Sequence, residues 1–191
     1  MATAAQQSKL TETEYVALER AAEFKSEFEN GEVFAMSGGT AAHSLLAAKA
    51  SRLLGNQLEG KGCLVFTSDM RVRLPDGNHK YPDISALCED PEYADEVKDA
   101  LLNPTLLVEV LSPSTEAYDR GAKFRAYRQL ASLVNYMLVS QDQLLVEHYE
   151  KRDGEWILHE HSGTGAMVQL ASLHGARLAL DELYDQILSA E

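Results

Sequence analysis

Three side chains in this sequence combine types and positions that could do chemistry: Asp83 in YPDISAL, Glu109 in LLVEVL and Lys123 in DRGAKFRAY. Glu109 is a single acid among five aliphatic residues, in a run with the length and composition of a buried strand. Burying an ionised carboxylate without a partner costs several kcal/mol, so Glu109 calls for a hydrogen bond, an ion pair or a cation. Asp83 follows Pro82 and shares a strand face with Ser85 and Leu87, while Ile84 and Ala86 take the other. Taken alone, Asp83 also reads as a cap at a strand entry. Two carboxylates on adjacent strands repel in a low-dielectric pocket unless a proton or cation lies between them, and their oxygens suit Mg²⁺ or Mn²⁺. Asp119, Lys123 and Tyr127 stand at i, i+4 and i+8, one stripe drifting by about 40° per step on an α-helix. That helix leads out of the Glu109 strand, so its amino-terminal half lies near the strand's carboxyl end. The plain alternative is a surface Asp–Lys pair of small energetic weight.

The elements that must position these residues follow in order. Thr11, Thr13 and Glu14 supply cap chemistry for a first helix through Tyr15, Leu18 and Ala22. KSEFE and EVFAM flank Asn30-Gly31, which readily supplies both positive φ angles of a type I′ turn and predicts a hairpin. The stretch from Ala41 to Glu59 predicts a long helix, with Gly60 and Gly62 behind it. CLVFTS, MRVRL and YPDISAL predict short strands, PDGN a turn, and EDPEYADEVKDA a solvated loop or short helix. After LLVEVL, a helix is expected from Ser114 or Thr115 to about Leu130. Ala122, Ala126 and Leu130 mark its apolar side, with the Asp119 stripe at the edge of the contact. VNYMLVS predicts a strand and QLLVEHYEKRDGEWILHEHS a second hairpin about Asp153-Gly154. The tail predicts a short strand near Arg177 to Ala179 and a helix DELYDQIL capped by Asp181. One strand-helix-strand unit among further strands gives a mixed α/β class, a single domain over 11–191 after a disordered start over 1–10.

The 191 residues, 45% hydrophobic and 25% charged, suit a globular domain with a substantial core. No apolar stretch approaches the roughly 18 residues of a membrane span, and MATAAQQSKLTETEY lacks the regions of a secretory leader. Cys63 and Cys88 show no metal-ligand spacing and read as lone thiols, so a reducing cytoplasm is the expected location. The net charge of −13 runs against the basic footprint of a nucleic-acid binder. A local rim of Lys49, Arg52, Arg71, Arg73, Lys80, Arg120, Arg125 and Arg128 would have to meet any anionic substrate.

Taken in order, the PD dipeptide opening a strand, the later strand VEVLSPST and the D-x3-K-x3-Y helix resemble a bacterial restriction-endonuclease-like family of the PD-(D/E)xK nuclease superfamily. SEFENGEVFAMSGG followed by His43, TSDMRVRL and LVNYMLVSQD extend the likeness from roughly Thr11 to Asp185. The resemblance implies a restriction-endonuclease-like mixed β-sheet core flanked by helices, with additional N-terminal and C-terminal β-hairpins. It implies Asp83 and Glu109 as acids binding Mg²⁺ or Mn²⁺, the backbone carbonyl of Val110 as a further ligand, and Glu27 touching the metal through water. In the E-x-K form the lysine would stand at Leu111, so the likeness is to variants whose lysine has migrated to the next helix, here Lys123. His43, Asp69, Asp119 and Tyr127 match positions at the rim of such a site or behind it. A histidine at a helix start is also commonly a cap or hydrogen-bond donor.

The implied activity is metal-assisted hydrolysis of DNA phosphodiester bonds, by analogy in a homodimer cutting both strands. Ser112 and Ser114 flank Pro113 without a G-x-S-x-G context and offer no covalent nucleophile. Two other readings stay open. One is a member that keeps the fold for binding or regulation; the other is a hydrolase of a small phosphorylated substrate, for which an acidic surface is no obstacle.

Overall fold

The computed structural model describes residues 9–36 and 38–188; the start expected to be disordered lies, up to residue 8, outside the described residues. Thr11 opens α1 (Glu12–Ala21) through a reciprocal capping box with Glu14. Asn30 and Gly31, with φ of 52° and 88°, turn β1 (Ser26–Glu29) into β2 (Glu32–Ala35). The Thr40 side chain caps α2 (Ala41–Leu58) by accepting from the His43 N–H. Short strands follow: β3 (Leu64–Thr67), β4 (Arg71–Arg73), β5 (His79–Lys80), β6 (Ile84–Leu87), β7 (Ala100–Leu101) and β8 (Leu106–Val110). A helical crossover comprises α3 (Glu116–Tyr118), a π-helical turn (Asp119–Lys123) and α4 (Phe124–Tyr127). The chain then forms β9 (Asn135–Val139), β10 (Leu145–Arg152), β11 (Glu155–Ser162), β12 (Met167–Leu170), β13 (Ala176–Ala179) and α5 (Leu180–Tyr184).

A six-stranded sheet of order β11-β10-β9-β8-β6-β3 frames the site. Within it β8 runs parallel to β9 and antiparallel to β6. The sheet is covered on both faces, which explains the nearly continuous apolar sequence of β8. Leu106, Val108 and Val110 pack with Leu46, Ala50 and Leu54 of α2 and with Leu170, Leu178 and Leu183. Leu107 and Leu111 pack instead with Phe124, Tyr127, Tyr136 and Leu138. The period of two therefore turns Glu109 toward the crossover helix. The N-terminal hairpin belongs to a second sheet, β2-β1-β5-β4-β7, the β10–β11 hairpin extends the first, and β12–β13 form a separate pair.

Several expectations are corrected. β5, β7 and β12 are additional strands, and the first two contain two residues each, too few for a period to register. The crossover helix ends at Tyr127 and is not uniformly α-helical. Its buried face is wider than expected: Asp119, Lys123 and Tyr127 are buried, and Ala122 is exposed, while Ala126 and Leu130 do pack against the core. Acids on the strands beneath compensate the lysine, so the polar stripe can face inward. Asp181 lies inside α5 rather than at its cap, and its carboxylate accepts the Gly165 N–H at 3.0 Å. Cys63 and Cys88 are bonded to each other, with S–S 2.07 Å, because the Leu64↔Leu87 register sets them across from one another. They no longer speak for a reducing compartment. Among the described residues no helix is long and apolar enough to cross a membrane.

Candidate active site

The register Ile84↔Val108 continues to set Asp83 across from Glu109, at the carboxyl end of β8 and just ahead of β6. One Asp83 oxygen, Oδ2, accepts the Val110 N–H at 2.8 Å, which fixes the carboxylate against β8. The same oxygen lies 3.2 Å from His43 Nε2, presented from the first turn of α2. This hydrogen bond to Asp83 raises the His43 pKa against the opposing effect of burial. Gly39 makes room for the ring: a Cβ there would stand 2.9 Å from His43 Nδ1.

Glu109 is held from the crossover helix. Lys123 Nζ lies 2.8 Å from Glu109 Oε1, and the Tyr127 hydroxyl donates to the same oxygen at 2.9 Å. Lys123 also stands 3.5 Å from Glu27 Oε1 and 3.7 Å from Asp119 Oδ1. Tyr136 donates its hydroxyl to the Asp119 carbonyl at 3.0 Å, tying the π-helical turn to β9. A π-helical turn widens the helix and often accompanies a functional site. Here it carries Asp119 and Lys123 together into the space above β8.

Four carboxylates, of Glu27, Asp83, Glu109 and Asp119, thus gather around Lys123 or beside one another. Burial, then the repulsion of Asp83 and Asp119, outweighs the attraction of Lys123 and pushes the Glu109 carboxyl well above its ordinary range. Burial likewise pushes Asp119 up. Burial alone would lower the Lys123 ammonium, but Glu109, Glu27 and Asp119 together raise it, so the lysine stays charged. Asp83 and Glu109, set across from one another, offer hard oxygen donors of the kind that Mg²⁺ or Mn²⁺ takes.

Glu27, on β1, accepts the Tyr81 N–H at 3.1 Å, so the hairpin delivers it to the cluster. Asp69 does not join: it is exposed and pairs with Lys25 at 2.9 Å. Sequence reasoning treated Lys80 as a surface cation, whereas it is buried here. Its ammonium donates to Tyr118 Oη at 2.7 Å and Glu29 Oε2 at 2.9 Å, and lies 3.4 Å from Glu27 Oε2. The position three residues before Asp83, in KYPD, was the available signal, but β5 is too short to show which way its residues face. The expected basic rim is largely spent on internal pairs. Arg71 pairs with Asp99, Arg73 with Glu12, Arg120 with Glu116 and Glu147, and Lys49 with Asp185. Arg52, Arg125 and Arg128 remain exposed. A cleft of about 590 Å³, lined by Lys25, Gly39, His43, Thr67, Ser68 and Asp83 among others, reaches Asp83 from solvent.

A mixed sheet with a helical crossover, presenting acids from two adjacent strands and a lysine from the crossover, defines a restriction-endonuclease-like fold. A family model named Uma2, "Putative restriction endonuclease", matches residues 13–181, and the chain belongs to that family. Membership supports a nuclease-like function in coarse terms. The chain is 36% identical to "Uncharacterized protein slr1290" of Synechocystis sp. over 178 residues, 92% of each chain. It is 37% identical to "Uncharacterized protein sll1609" of the same organism over 164 residues, 85% of this chain and 93% of that one. A crystal structure from Anabaena variabilis, of "a putative nuclease belonging to DUF820", is similar with TM-score 0.76 at 18% identity, covering 94% of this chain and 99% of that chain.

Proposed function

We propose that the protein is a metal-dependent endonuclease that hydrolyses DNA phosphodiester bonds, acting as a homodimer so that two copies address the two strands of a duplex. The observation that carries this reading is the buried Lys123 ammonium, 2.8 Å from Glu109, in a pocket where Asp83 is fixed by the Val110 N–H. Asp83 and Glu109, with the Val110 carbonyl, would hold Mg²⁺ or Mn²⁺, and Glu27 would reach the ion through water. When bound, the ion supplies charge to polarise the scissile phosphate and lowers the pKa of a coordinated water. Lys123 orients the attacking water or neutralises charge on the phosphoryl oxygens. His43 and Tyr127 hold the two carboxylates in place, and Glu109, Glu27 and Asp119 together keep the lysine protonated. The test is cleavage of supercoiled plasmid with Mg²⁺ or Mn²⁺ by wild type, Asp83→Ala and Lys123→Ala. Metal-dependent cutting by wild type that both variants lose supports the reading; cutting that survives in both would falsify it.

A second reading, hydrolysis of a small phosphorylated substrate, is favoured by the internal pairing of Arg71, Arg73, Lys80 and Arg120, which leaves few free cations for a long polyanion. Nucleotides and single strands assayed beside plasmid separate the two.

A further inference from the structure

We propose that Cys63, Cys88 and His174 form a second metal site, a thiolate and imidazole site for Zn²⁺ that is available only when the two cysteines are reduced. The Leu64↔Leu87 pairing of β3 with β6 sets the two cysteines opposite each other just beyond the strand ends, with Cα atoms 3.9 Å apart. The donor atoms of both cysteines and of His174 lie within 4.8 Å of one another. His174 belongs to the turn joining β12 to β13, where it adopts a left-handed φ of 51° followed by Gly175 at 68°. Buried Leu173 and Ala176 anchor this turn in the core. The imidazole is therefore presented to the sulfurs from a different sheet, by backbone that is itself held.

Bonded sulfurs cannot act as thiolates. Reduction by a dithiol breaks the S–S bond, yielding two protein thiols and the oxidised dithiol. Zn²⁺ then binds both sulfurs as thiolates with release of two protons, and neutral His174 contributes its lone pair. Zn–S bonds of about 2.3 Å and a Zn–N bond of about 2.0 Å in tetrahedral geometry require donors roughly 3.5–4 Å apart. All three donors already lie within 4.8 Å of one another, and breaking the bond frees the sulfurs to separate to that spacing. Both cysteines are half-buried and His174 is exposed, so reductant and metal have access. The donor set is soft, unlike the all-oxygen pocket at Asp83 and Glu109 beyond the other end of β6, and selects a different metal. The two states also tie the chain differently: the disulfide joins β3 to β6 alone, whereas the metal also fastens the β12–β13 turn.

The test uses the full chain, reduced with a phosphine under anaerobic conditions and titrated with Co²⁺ as a coloured stand-in for Zn²⁺. Reduced wild type should bind one Co²⁺ with a near-ultraviolet thiolate-to-cobalt charge-transfer band, displaced by one equivalent of Zn²⁺ and untouched by excess Mg²⁺. The oxidised chain should show no such band. His174→Ala, a change at an exposed turn, should weaken Zn²⁺ at least tenfold, and His174→Cys should restore tight binding. No charge-transfer band in the reduced chain, Zn²⁺ held equally well by His174→Ala, or loss of the native circular dichroism on reduction would each overturn the proposal.

Discussion

Lys123 Nζ lies 2.8 Å from Glu109 Oε1 with both side chains buried, so the cation of the crossover helix and the acid of β8 depend on each other. Breaking a buried pair from one side leaves an uncompensated charge and typically costs about 3–5 kcal/mol, while replacing both partners costs much less. Lys123→Met is expected to destabilise the fold by an amount near the lower end of that range, because Glu109 can take up a proton. Adding Glu109→Gln should recover much of the loss. Urea unfolding of the two single variants and the double variant measures the coupling; strict additivity would count against the pair.

Tyr127 donates its hydroxyl to the same Glu109 oxygen. Tyr127→Phe keeps the ring packed against Tyr136 and removes one hydrogen bond to a carboxylate, an expected loss of about 1.5–3 kcal/mol. If Glu109 holds a metal, the variant should need several-fold more Mg²⁺ for half-maximal cleavage. An unchanged Mg²⁺ requirement would remove Tyr127 from the positioning of Glu109.

Gly39 gives a prediction that does not depend on activity. A methyl group there collides with the His43 ring, so Gly39→Ala should push His43 away from Asp83. Since the hydrogen bond to Asp83 is what raises the His43 pKa, that pKa should fall toward 6.5 in the metal-free variant. NMR titration of the imidazole reads this directly.

His148 provides a pH dependence. It is 2% exposed, its Nε2 lies 2.8 Å from Asn135 Oδ1, and burial lowers its pKa to about 4. An unfolded chain binds the proton below about 6.5, the folded chain only below about 4, so between these values the unfolded state holds more protons. Through this group, stability therefore falls as pH falls across that window, by up to about 1.4 kcal/mol per pH unit. His148→Gln should flatten the profile between pH 6.5 and 4, as followed by thermal unfolding.

Much of this arrangement was legible in the sequence because it rests on short-range signals. Asn30-Gly31 and Asp153-Gly154 fix their hairpins by backbone conformation alone, and the five aliphatic residues around Glu109 reflect a strand covered on both faces. Asp83, Glu109 and Lys123 were found because a charge in an apolar context demands a partner. What escaped depends on pairings between distant segments. The burial of Lys80 follows from Glu29 and Tyr118, 51 and 38 residues away, and the Cys63–Cys88 bond from a register that no spacing encodes. The inward turn of the Asp119 stripe escaped because the acids that compensate Lys123, Glu27 and Glu109, come from other strands.

That π-helical turn makes the site a matter of counting as well as of side chains. Hydrogen bonds in such a turn span five residues instead of four, so it accommodates one residue more than an α-turn. Removing Gly121 or Ala122 would let the segment relax to a regular α-helix, in which Lys123 stands at i+3 of Asp119, about 60° away around the axis, while altering no charged group. Substitution scanning would report Gly121, with open space around an added Cβ, and the exposed Ala122 as tolerant, whereas a one-residue deletion there would shift Lys123 on Glu109.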